Sequence, residues 1–141
     1  VLGVPVQRRN AIMIISGRQL IDNVRSKVKE VSISHILDVI DNDIILIDIR
    51  EPDEWGRGSI KEALKIPRGV LETKLHEIPE VAQSLSPLES LADYDIYLIC
   101  RSGARSVLAA ESLQRLGYTK VYSVSGGFEA WKGAGYPVSY N

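Results

Sequence analysis

Tyr94-Asp95-Ile96-Tyr97-Leu98-Ile99-Cys100-Arg101-Ser102-Gly103-Ala104-Arg105-Ser106 changes character half-way along. Ile96, Leu98 and Ile99 form a short apolar run with β-branched members, the pattern of a strand covered on both faces. From Ala104 the period becomes helical. Ala109, Leu113 and Leu116 recur at i, i+4 and i+7, and Gly117 is placed to close the helix as its C′ residue. The only cysteine of the chain, Cys100, stands at the junction. In an open α/β sheet ligands collect at the carboxyl ends of strands, which is where this residue falls.

The chemistry of the junction is specific. A loop containing Ser102, Gly103 and Ala104 can curl so that successive backbone N–H groups point inward. A helix N-terminus just behind it adds partial positive charge, and Arg101 and Arg105 add full charges. Each feature favours a thiolate, so Cys100 is expected to be a nucleophile in an anion cradle. The plainer alternative is a small buried hydrophobe.

Composition narrows the remaining classes. The chain has 141 residues, 45% hydrophobic and 25% charged, enough for one domain with a real core. Its net charge of −1 offers no global field for nucleic acid or an anionic membrane. One cysteine makes no intramolecular disulfide, and with only two histidines, His35 and His76, a structural zinc site is not expected. No cofactor or metal is expected. No apolar run approaches membrane-spanning length. No secretory signal is visible, so a cytoplasmic location is the expectation, although the chain begins at Val1.

Outward from the central stretch, residues 1–15 read as irregular, with Arg8-Arg9 followed by Ile12-Met13-Ile14-Ile15, which can dock on the domain or on a partner. Ser16 and Gln19 form a capping box for an amphipathic helix bearing Leu20, Val24, Val28 and Val31 on one face. That face either packs on the domain or makes a dimer or partner contact. Val31-Ser32-Ile33 reads as a short edge strand. Ser34 is expected to cap a helix to about Asp41. Ile44 to Ile49 is a nearly continuous apolar strand, expected to be central and parallel. Pro52 opens a helical turn after it. Ala63 to Ile66 and Lys120 to Val124 read as further strands, and Gly126-Gly127 opens a short helix with Phe128 and Trp131. Pro79 and Pro87 limit helix length between 76 and 93. Alternating strands and helices predict an α/β fold, with about five mostly parallel strands and helices on both faces. The expected organisation is an N-terminal extension with an amphipathic helix over 1–30 and a catalytic domain over 31–141.

Four stretches, in order, resemble the single-domain rhodanese (thiosulfate sulfurtransferase-like) family. They are Leu46 to Trp55 with its Asp48-Ile49-Arg50-Glu51 core; Gly58-Ser59-Ile60 with Ala63 and Ile66-Pro67; Cys100 to Arg105; and Gly126 to Trp131 with Gly135-Tyr136-Pro137-Val138. The resemblance implies a sulfurtransferase. Cys100 takes a sulfane sulfur from a donor such as thiosulfate, holds it as a persulfide, and passes it to cyanide or a thiol. It assigns the persulfide-binding loop to Arg101, Ser102, Gly103, Ala104 and Arg105, with the loop amides around the terminal sulfur and the two arginines on the sulfite. Asp48 and Arg50 are expected to support the loop as a partly buried ion pair, and Arg68 is a secondary candidate near the site. Trp55 and Trp131 are read as packing. Two departures from the family are Ser59 where it usually has His, and Glu62 where it has Gly.

Rival readings share these residues. Phosphatases and arsenate reductases use a Cys-to-Arg loop one residue longer, whereas four residues separate Cys100 from Arg105. A non-catalytic module typically lacks the cysteine. A sulfur carrier that delivers its persulfide to a protein partner would use the same residues, with docking, or a homodimer contact, through the N-terminal segment.

Overall fold

The computed structural model describes residues 13–140. Five strands form one sheet: β1 (Lys29–Val31), β2 (Ile45–Asp48), β3 (Leu64–Lys65), β4 (Ile96–Ile99) and β5 (Val121–Val124). Their order is β1-β5-β4-β2-β3, and every pairing is parallel. Seven α-helices accompany them among the described residues: α1 (Gly17–Arg25), α2 (Ile33–Val39), α3 (Pro52–Trp55), α4 (Leu71–Lys74), α5 (Pro87–Leu91), α6 (Ala104–Arg115) and α7 (Gly127–Gly133). Two 3₁₀ turns, Arg68–Val70 and Leu75–Glu77, flank α4.

Period-two alternation divides the core. Ile45 and Ile47 of β2 and Ile96 and Leu98 of β4 face a layer with Leu71, Leu91, Ala109, Ala110 and Leu113. Leu46, Tyr97 and Ile99 point the other way, onto Ile36, Phe128 and Trp131. Both layers are buried, so the two inner strands read as continuous apolar runs, as a doubly covered parallel sheet requires. The central strand is β4, with β2 beside it. From β2 the chain steps outward to β3, then returns to β4 on the other side of β2. That reversal opens a crevice at the carboxyl ends of β2 and β4, where Asp48 and Cys100 lie.

Local signals account for most element ends. Ser16 and Gln19 close the capping box of α1: the Ser16 hydroxyl accepts from Gln19 N–H and the Gln19 side chain accepts from Ser16 N–H. The helix ends at Arg25, earlier than the apolar spacing through Val31 suggests. Val24 is buried and α1 packs on α6, while Leu20 stays exposed. Val31 belongs to edge strand β1, which runs Lys29–Val31 rather than starting at Val31. The cap of α2 is Ser32, not Ser34. The Ser32 hydroxyl accepts the His35 N–H at 3.1 Å, and Ser34 only bonds the Ser32 hydroxyl. Residues 1–12, including Arg8, Arg9 and Ile12, lie outside the described residues; Met13, Ile14 and Ile15 are exposed and do not dock on the domain.

The end of β2 is fixed by a buried ion pair. The Asp48 carboxylate accepts from Arg50 Nε at 3.0 Å and Nη2 at 2.8 Å, and from the Arg50 backbone N–H at 3.1 Å. Arg50 Nη2 also donates to the Gly58 carbonyl at 2.8 Å, and the guanidinium lies 4.1 Å over the Phe128 ring. The two side chains are 1% and 4% exposed, so the pair is fully rather than partly buried. Breaking such a pair leaves a charge without solvent or partner. Arg50→Ala is therefore expected to lower stability by about 3–5 kcal/mol in urea unfolding. Arg57→Ala, which removes the exposed Arg57–Asp53 pair, is expected to change it by less than about 0.5 kcal/mol.

Candidate active site

Cys100 follows the last residue of β4 directly, and α6 begins four residues later. Its side chain is 1% exposed and turns back toward the helix. The sulfur accepts the Gly103 N–H at 3.1 Å and the Ser106 N–H at 3.4 Å. Ser106 is in the first turn of a twelve-residue helix, so its N–H is one of the donors the helix cannot satisfy internally. A sulfur placed there meets oriented N–H dipoles that favour negative charge. Of the amides expected to line the cradle, Gly103 reaches the sulfur; Ser106, one residue beyond the expected range, supplies the second.

The loop turns its N–H groups inward because its carbonyls are held outward. The first amides of α7 do this: Phe128 N–H donates to the Cys100 carbonyl at 2.8 Å, and Glu129 N–H to the Arg101 carbonyl at 2.9 Å. Two glycines permit the geometry. Gly103 has φ +100°, in the left-handed region. Gly127 has φ +58°, and a Cβ there would lie 2.5 Å from the Cys100 carbonyl oxygen. The helix end can thus reach the loop only if residue 127 lacks a side chain.

The two arginines of the loop are both ion-paired. Arg105 meets Glu54 as a fork, Nη1 to Oε1 at 2.8 Å and Nη2 to Oε2 at 2.9 Å. This bidentate contact clamps the start of α6 to α3. It lowers the Glu54 carboxyl from 4.5 to about 2: the hydrogen bond from Arg105 is the largest effect, burial opposes it, and the Glu51 N–H and the Arg105 and Arg50 charges add to it. Glu54 raises Arg105 in turn, and the charge of Cys100 contributes in the same direction. Arg101 points outward, 67% exposed, and pairs with Glu129 at 3.0 Å. Ser102 is exposed and Ala104 is half-buried. A cleft of about 430 Å³ opens beside the loop, bordered by Arg50, Glu54, Arg57, Arg101, Phe128 and Lys132.

Asp48 and Arg50 come together with the loop through Phe128, whose ring lies under Arg50 and whose N–H holds Cys100. Arg68 reaches the end of β2 through its backbone, its N–H donating to the Ile49 carbonyl at 2.9 Å, and its side chain is engaged elsewhere. Its guanidinium pairs with Glu72, which also accepts the Ser112 hydroxyl, and Ser112 lies about 9 Å farther along α6 than Ser106. Ser59 is buried and its backbone pairs in both directions with Ser139 at 2.8 Å, so the C-terminal segment covers the place where the family usually has His. Trp131 is packed, with its indole N–H on the Pro137 carbonyl. Trp55 is part-buried and its indole N–H has no partner among the described residues. Glu54, Ser106, Ser123 and Gly127 were not singled out by sequence pattern as site residues, although the glutamate at the third position after Glu51 is visible as a capping box.

Comparison with known proteins gives the family. The model of the Rhodanese-like domain matches residues 32–134. The chain belongs to the rhodanese-like domain family. It is 36% identical over 96 residues to a sulfurtransferase of Allochromatium vinosum, covering 68% of this chain and 78% of that protein. It is 30% identical over 110 residues to the putative sulfur carrier protein YrkF of Bacillus subtilis, covering 77% of this chain and 53% of that protein. A solved structure from Rhodopseudomonas palustris, described as a protein of unknown function and possible tyrosine phosphatase, superposes with TM-score 0.74 at 28% identity, covering 90% of this chain and 96% of that one. No described helix of this rhodanese-like chain is long and apolar enough to cross a membrane.

Two measurements test the support of the loop. Gly127→Ala is expected to lower the melting temperature and to abolish chemistry at Cys100, since the Cβ must displace the loop carbonyls or break the left-handed turn; a variant as stable and active as wild type would remove α7 from the account. The second uses pH. The Glu54 carboxyl sits at about 2 in the folded chain, below its ordinary 4.5. Its contribution to stability is therefore present above pH 4.5 and is lost as the pH falls toward 2. Glu54→Gln should lose this part of the acid dependence, so the gap in stability between wild type and variant narrows across that window in urea unfolding.

Proposed function

We propose that this rhodanese-like domain is a sulfurtransferase that carries sulfane sulfur as a persulfide on Cys100, taken from an anionic donor such as thiosulfate. The observation that carries the reading is the sulfur of Cys100 under two backbone amides, at the N-terminus of α6, in a loop with only four residues between Cys100 and Arg105. A ring of that size suits one sulfur atom, whereas the phosphatase loop is a residue longer to admit a tetrahedral oxyanion.

The thiolate attacks the outer sulfur of thiosulfate. A new S–S bond forms, the old S–S bond breaks, and sulfite leaves with the electron pair. The terminal sulfur of the persulfide is anionic, and the loop amides are the donors that stabilise it. A thiophilic acceptor, cyanide or a thiol, then attacks that terminal sulfur and returns Cys100 as thiolate. The attacking species is the thiolate, met by the Gly103 and Ser106 amides, and no side chain is assigned as general base for the first step. Arg101 is the group best placed to meet the donor and the sulfite. Its pair with Glu129 is exposed and of little energetic weight, so opening it costs little. Arg105 acts through its clamp on Glu54, Asp48 and Arg50 as the support under α7, and Arg68 by holding Glu72, which accepts the Ser112 hydroxyl of α6.

A second reading, a carrier that hands its sulfur to a protein, has the likeness to YrkF and the exposed Met13, Ile14 and Ile15 in its favour. The acceptor separates the two. In intact-mass measurements, wild type is expected to gain one sulfur atom from thiosulfate and to lose it to cyanide or a small thiol, and Cys100→Ser to do neither. A persulfide that survives both acceptors favours the carrier. No uptake at all, in folded wild type, rejects the persulfide.

A further inference from the structure

Behind Cys100 lie two serines with no exposed surface, Ser106 in the first turn of α6 and Ser123 in β5. The Cys100 thiol donates to Ser106 Oγ at 3.4 Å, and Ser106 Oγ lies 2.7 Å from Ser123 Oγ. We propose that these two hydroxyls form a reversible relay that stabilises the anionic sulfur of Cys100, with Ser123 acting through Ser106 as a positioning residue. The proposal rests on the reading of Cys100 as the sulfur-carrying nucleophile and adds residues to it.

The argument begins with burial. Ser123 shares a face of β5 with Val121, which belongs to the apolar layer against α6. A hydroxyl in that layer is costly unless it is bonded. Ser106 gives it a partner and receives one in return. Each hydroxyl has one proton and can rotate. While Cys100 is a thiol, its S–H points to Ser106, and the Ser106 proton points to Ser123. When the sulfur is an anion it has no proton to give. The relay then reverses: Ser123 donates to Ser106, and the Ser106 O–H turns onto the sulfur. The anion thereby gains a third donor beside the Gly103 and Ser106 amides. A hydrogen bond to a charged acceptor is stronger than the neutral bond it replaces, and the bond behind it polarises it further. No proton moves between heavy atoms and no bond to sulfur is made or broken.

Other charges near the loop are common to every variant below. They are Asp48 and Arg50 at the end of β2, Glu51 and Glu54 from the turn and α3, Arg101 and Arg105 of the loop and α6, and Glu129 of α7. Strand β5 contributes Ser123 and no charged residue.

With a single cysteine, the ultraviolet absorbance of the thiolate reads one site. It is followed against pH for wild type, Ser106→Ala, Ser123→Ala and the double variant, with Cys100→Ser as the blank. Ser106→Ala is expected to raise the midpoint by about one pH unit. Ser123→Ala should raise it by roughly half as much. The double variant should match Ser106→Ala alone, because Ser123 has no route to the sulfur except through Ser106. Unmoved midpoints, or shifts that add in the double variant, overturn the relay. Circular dichroism checks folding; if Ser106→Ala does not fold, Ser123→Ala decides alone, a raised midpoint supporting the relay and an unchanged one overturning it. Sulfur uptake by intact mass is measured separately on wild type, so failure of the persulfide reading is distinguishable from failure of the relay.

Discussion

Two backbone hydrogen bonds hold the site in shape: Phe128 N–H to the Cys100 carbonyl and Glu129 N–H to the Arg101 carbonyl. They pull the loop carbonyls outward onto the N-terminus of α7. The Gly103 N–H of the loop and the Ser106 N–H of α6 are then left facing the sulfur. An N–H directed at a buried sulfur is useful only if it is not already bonded to a neighbouring carbonyl, and this tie ensures that it is not. The helix that supplies the tie follows β5, while the loop follows β4. Adjacent parallel strands thus deliver the two halves of the cradle to the same end of the sheet.

Everything around this tie keeps its two ends together. Gly127 allows contact where any Cβ would strike the Cys100 carbonyl. Phe128 is seated under the Arg50 guanidinium, and Arg50 is anchored on Asp48 at the end of β2. The buried ion pair is therefore a joint among β2, the Gly58 turn and α7. Its value lies in position more than in net free energy, since the desolvation of two buried charges offsets much of their attraction. On the other side, the Arg105–Glu54 fork joins α6 to α3. Cys100 is thus enclosed by elements that are distant in sequence and cross-linked in space.

The charge of the site is distributed unequally between its basic residues. Both arginines of the loop are matched by carboxylates, Arg101 by Glu129 and Arg105 by Glu54. The groups that touch the sulfur are neutral dipoles, two amides and a hydroxyl. This division suits the proposed sulfur carriage, in which an anion is accepted and released. Fixed dipoles stabilise it without a full countercharge, while the exposed Arg101 at the cleft remains able to exchange partners.

Much of this was legible in the chain. The alternation of apolar strands with helical periods determined the α/β class, because a parallel sheet covered on both faces demands it. The change of period at Cys100, with the glycine and arginines after it, located the candidate nucleophile and its anion cradle. Asp48 and Arg50 read as a pair because they flank the end of a buried strand. Other features were decided only in three dimensions. That Arg105 lies on Glu54, and that Ser59 is covered by Ser139, follow from which strand ends meet, and periodicity says nothing of that. The serine pair behind Cys100 is the clearest instance. Ser106 and Ser123 are seventeen residues apart, and nothing in the spacing of two small polar residues marks them. Only the packing of α6 across β5 excludes water from both hydroxyls and leaves each the other, and the sulfur, to bond.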